Sequence, residues 1–170
     1  MTKHAPTIVA SIGGALLIPL AAAMHVGLSP LAAIRLAILG ASLAQLAIVD
    51  LRERRIPNRI VLPATIICTA LSIAGGTQIS TGLILAAGLV ALLLAVSLAT
   101  PAMLGMGDVK LALLLLAALG GLASVALLLT LELYALLATI LLVRRGRTIL
   151  GSTLPLAPIA TVGCLVVLLI

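Results

Sequence analysis

Charge and aromatic residues are both scarce in this chain. Of 170 residues only 8% are charged and 1% aromatic, with one Tyr, no Phe and no Trp. Soluble domains carry about 25% Asp, Glu, Lys and Arg, so there is too little charge here to cover a water-facing surface. Disorder needs low hydrophobicity, whereas 64% of this chain is hydrophobic. An outer-membrane barrel needs aromatic girdles and alternating strands, and the sequence offers neither. The two cysteines, Cys68 and Cys164, lie in apolar runs, and no CxxC occurs. That argues against a zinc or thioredoxin-like site. Both read as small buried hydrophobes.

What is present is a series of Leu- and Ala-rich runs, with a mean hydropathy of +1.43. The fold class is all-α: a polytopic transmembrane bundle of six to seven helices in one domain, 1–170. The first run, 7–28, reads as a retained extra N-terminal transmembrane helix (1–30) preceding a core over 31–170. Further runs cover 31–50, 60–75 and 79–99. The stretch 109–143 is too long for one span, since about 35 residues of helix reach about 52 Å against a bilayer core of about 30 Å. It must turn, and Gly120-Gly121 is the place. A last run covers 154–170.

The net charge of +6 comes from ten basic residues against four acids. The basic residues sit between apolar runs, which points to topology signals rather than nucleic acid. With seven spans, Lys3, Arg52, Arg54, Arg55, Arg59, Lys110, Arg144, Arg145 and Arg147 all fall on one side. The positive-inside rule makes that side the cytoplasm. Arg35 is the exception, and Glu132 inside the sixth run is its expected partner. The four arginines at 52–59 are expected to anchor the protein to anionic membrane lipids.

The acids are Asp50, Glu53, Asp108 and Glu132. Glu53 sits among arginines and reads as a solvated charge. Asp50 and Asp108 each lie at a helix end, on the same side by the topology above. A lone Asp there is usually an end cap. Two that converge suit acid–base work, because close carboxylates share a proton. One can activate water while the other protonates a carbonyl. No His/Cys/carboxylate cluster has zinc spacing, so neither metal nor other cofactor is expected.

The segments IVDLRERRIPN (48–58) and GMGDVKL (105–111) together resemble the bipartite motif of type IV prepilin peptidases, bacterial members of the GxGD intramembrane aspartyl proteases. LPLAPIATVG (154–163) is similar to that family's proline-containing segment. GxGD alone is a weak signal; the two motifs on one side are a strong one. The resemblance covers about 31–170. It implies an aspartic-type endopeptidase of the inner membrane that removes the leader of type IV pilin-like precursors at the cytoplasmic face. Asp50 and Asp108 match the catalytic aspartates. Gly105, Gly107 and Lys110 match the rest of the second motif, and Pro57 and Asn58 the first. Asn58 also reads as a helix N-cap, and Lys110 as a membrane anchor. The chain lacks the paired CxxC region of the longer, N-methylating members. It resembles the short form found in Tad/Flp pilus systems, and methyl transfer is not expected. The competing readings are a proton-coupled transporter, which would set acids at mid-depth, and a structural subunit of a secretion or pilus system.

Overall fold

The computed structural model describes residues 29–76, 78–100, 105–145 and 156–169. Among them every regular element is helical: α1 (Pro30–Glu53), α2 (Asn58–Ala74), α3 (Thr81–Ala99), α4 (Met106–Leu119), α5 (Ala123–Arg145) and α6 (Leu156–Leu169). The N-terminal apolar run expected to form an additional helix lies outside the described residues.

Local chemistry sets the boundaries. Ser29 caps α1, its Oγ accepting the Ala32 N–H at 3.3 Å. Pro30 follows in the first turn, where its missing N–H costs nothing. Ser80 caps α3 in the same way through the Leu83 N–H at 3.2 Å. α1 ends where Arg54 turns left-handed (φ 51) and donates its N–H to the Asp50 carbonyl at 2.9 Å. Asp50 is therefore not the last residue of its helix, as the apolar run implied. The helix continues to Glu53 and carries Asp50 on its buried side.

The stretch 109–143 breaks where expected. Gly120 adopts φ 58, which suits a residue without a β-carbon, and a 3-10 turn covers Gly120–Leu122. The helices on either side of the turn, α4 and α5, pack against each other. One straight helix would carry them away from each other, so the chain doubles back at the glycines.

α4 is the hub and packs against α1, α2, α3, α5 and α6. It is apolar nearly all round, as a central helix must be. Val109, Leu111, Leu114, Leu115 and Ala118 are buried on it. Leu39 and Leu46 of α1, Val61 and Cys68 of α2, and Ala157 and Ala160 of α6 close the core around it. The outward faces are apolar as well, with Ile66, Ile73, Ile84 and Leu98 among the exposed side chains. Three helical stretches are long and apolar enough to cross a membrane: Pro30–Glu53, Thr81–Ala99 and Met106–Leu141, the last including the turn. α2 and α6 are shorter apolar helices. This is a membrane protein built entirely of helices among its described residues.

The contacts sort the helix ends. The C-terminal end of α1 meets the N-terminal ends of α2, α4 and α6 at one end of the bundle. Arg52, Glu53, Arg54, Arg55 and Arg59 are exposed at that end. The other end gathers the start of α1, the Gly75 turn, the start of α3 and the Gly120–Leu122 turn. No Lys or Arg lies within 75–80 or 120–122.

Candidate active site

The basic end of the bundle holds both aspartates of interest. Asp50 is only 5% exposed. Its Oδ2 accepts the backbone N–H of Ala157 at 2.9 Å. Ala157 is the second residue of α6, so the donor is one of the N–H groups that a helix start leaves without an internal partner. A buried carboxylate needs such a donor, and charge-assisted bonds of this kind are the strong ones. The α1 dipole, which disfavours negative charge at Asp50, is opposed there by the α6 N-terminus.

Asp108 is half-buried in the first turn of α4, whose N-cap is Gly105. Its N–H donates to the Gly105 carbonyl at 3.0 Å, and its carboxyl interacts with the Gly105 backbone in return. That is one half of a capping box, in which an acid at the third helical position reaches back to the N-cap. The capping reading thus holds for Asp108. Asp50 and Asp108 lie close enough for the charge of one to bear on the other.

The remaining motif residues tie the two aspartate-bearing segments together. Pro57, not Asn58, is the N-cap of α2, and its carbonyl accepts the Ile60 N–H at 3.1 Å. Asn58 is the first helical residue, which frees its side chain for another bond. Its Oδ1 accepts from Lys110 Nζ at 2.8 Å. Lys110 thus does more than mark a membrane boundary, since it joins α4 to the start of α2. One residue of the first motif, Ile56, packs directly on Gly107 of the second.

Two features near the aspartates were not apparent in the sequence. The Ala157 donor is a main-chain group and leaves no residue-type signature. Tyr134 of α5 is half-buried and feels the Asp108 charge. As the sole aromatic residue of the chain it was the one available signal. The expected Arg35–Glu132 pair is not formed. Arg35 donates to Ser72 Oγ, and Glu132 is exposed on α5. Pro155 lies outside the described residues, and Pro158 sits in the first turn of α6. Among the described residues no group of three His, Cys, Asp or Glu gathers as a metal site requires.

The chain matches no curated protein and no solved structure. A family model does match: it spans residues 37–144, well over half of the chain and inclusive of both aspartates, and by it the chain belongs to the type IV leader peptidase family.

Proposed function

We propose that the protein is a membrane-embedded aspartyl endopeptidase that removes the leader of type IV pilin-like precursors of the Flp type at the cytoplasmic membrane face. One observation carries the reading. The two acids drawn inward at the basic end of the bundle come from separate motifs, which the Ile56–Gly107 contact and the Lys110–Asn58 bond join. In the reaction one carboxylate takes a proton from water as its oxygen attacks the scissile carbonyl carbon. The other carboxyl gives its proton to the carbonyl oxygen. The tetrahedral species then collapses, the C–N bond breaks, and the leaving nitrogen takes a proton from the pair. Ala157 N–H fixes the Asp50 carboxyl, and the α4 N-cap fixes that of Asp108.

The whole chain, 1–170, forms one domain in this reading, with the peptidase core over 31–170 and six to seven helices in the inner membrane. The exposed arginines at 52–59 keep the site's end in the cytoplasm and rest on anionic lipid headgroups. A pair at one end of the bundle suits cleavage at the junction of leader and pilin helix. A proton path would place its acids at mid-depth. The test is co-expression with a pilin-like precursor encoded nearby, followed by gel mobility. A shift in the wild type that disappears with Asp50→Asn supports the reading, and an unshifted precursor in the wild type refutes it.

A further inference from the structure

Arg35 stands about four turns before Asp50 on α1, far from the site. A cation within an apolar membrane helix is expensive and needs a reason. Its Nη1 donates to Ser72 Oγ on α2. Ser72 Oγ in turn donates to the Ala117 carbonyl on α4 at 3.1 Å. That carbonyl is one of the last four of α4. Its ordinary helical partner would be the N–H of Gly121, which lies beyond the end of α4 in the 3-10 turn. One turn earlier on α2, the Cys68 thiol leans on the Arg35 carbonyl at 3.9 Å. A chain of polar contacts thus joins α1, α2 and α4 at the end opposite the aspartates.

These three helices carry Asp50, Asn58 and Asp108. At the site they are joined by the Lys110–Asn58 bond and the Ile56–Gly107 contact. Apolar helix faces in lipid resist sliding weakly, since lipid is as apolar as the faces themselves. A slip of one residue moves a side chain about 1.5 Å along the axis and turns it about 100°. A misplacement of about 1 Å in a reacting group costs on the order of a hundredfold in rate.

We propose that Arg35 is a positioning residue for the peptidase reaction: through Ser72 it holds α1, α2 and α4 in register so that Asp50 and Asp108 meet. The inference rests on the peptidase reading, and its test separates the two. Full-length protein in detergent is assayed on a pilin-like precursor as wild type, Arg35→Met, Arg35→Lys, Ser72→Ala and the Arg35→Met/Ser72→Ala pair. Arg35→Met and Ser72→Ala are each expected to lower kcat about tenfold and to leave KM within about twofold. Arg35→Lys, which keeps a charged donor, should retain at least about a third of the wild-type kcat. The pair should be no worse than its poorer member. Spin labels at the exposed positions Leu51 and Leu113, introduced by Leu51→Cys and Leu113→Cys, read the α1–α4 spacing without any need for activity. Their distance distribution should be narrow in wild type and Arg35→Lys, and broad in Arg35→Met. An unchanged distribution in Arg35→Met overturns the proposal, as does an unchanged kcat, an additive pair, or no rescue by Lys. Failure of the wild type to cleave refutes the peptidase reading, and the label distances still decide whether Arg35 sets the register.

Discussion

Ile56 occupies the space that a side chain on Gly107 would need. A β-carbon at 107 would stand 3.1 Å from Ile56 Cβ and 3.4 Å from its Cδ1. The glycine before Asp108 is thus matched to the residue before Pro57, and the two motifs are a single packed contact.

Gly107→Ala should therefore push the 54–57 segment away from α4. Overpacking of this kind costs about 1–3 kcal/mol. Precursor cleavage is expected to fall at least about tenfold. Ile56→Gly in the same chain should restore most of it, because it removes the Cβ that stands nearest the new methyl. A double-mutant comparison of cleavage rates checks this. Additive losses would show that the two residues do not share the space.

Asp50→Asn and Asp108→Asn should each abolish leader removal while the protein still inserts in the membrane. Each change keeps the side-chain volume and removes half of the acid–base pair. Glu53→Gln should cleave at nearly the wild-type rate, since Glu53 is exposed. Mobility of a co-expressed precursor reads all three, and substantial processing by either Asn variant would exclude a two-aspartate mechanism.

Ala157→Pro removes the N–H that Asp50 accepts, at a helix position where proline suits the backbone. A hydrogen bond to a charged group is worth about 1.5–3 kcal/mol. Cleavage should drop by roughly ten- to a hundredfold. Ala157→Gly weakens the helix by about 1 kcal/mol but keeps the donor, so it should stay active. Equal losses in the two variants would assign the effect to helix α6 rather than to the bond.

Arg54 takes a left-handed backbone conformation that glycine adopts without a β-carbon penalty. Arg54→Gly should leave cleavage within about twofold and the thermal midpoint unchanged or slightly higher. A large loss of activity in neutral vesicles would mean that the guanidinium itself serves the reaction.

Tyr134 is the only aromatic residue, so the near-ultraviolet emission of the whole protein comes from one phenol. A nearby carboxylate quenches tyrosine emission. Asp108→Asn should brighten it, whereas Glu53→Gln should not. Identical spectra from the two variants would place Tyr134 away from Asp108.

Helix boundaries were legible in the sequence because Ser, Gly and Pro interrupt otherwise unbroken apolar runs. The fold-back at Gly120-Gly121 followed from length alone. Asp50 and Asp108 stood out because acids are so few. Other features depend on several helices at once. Asn58 looked like an N-cap by residue type, but Pro57 takes that place and leaves Asn58 to Lys110. Arg35 and Glu132 looked like partners because each lacked an obvious one. In the fold a hydroxyl beside a broken helix end meets the arginine instead, and Glu132 faces outward.

The bond from Ala157 to Asp50 has a consequence for how such a site can change over generations. Its donor belongs to the peptide backbone, so any amino acid but proline supplies it. Position 157 is fully buried, so only a small side chain fits there, and any small residue other than proline leaves the donor to Asp50 in place. It also lies beyond residue 144, where the family match ends. A component of the site can therefore persist where the residue that carries it is exchanged for another small one.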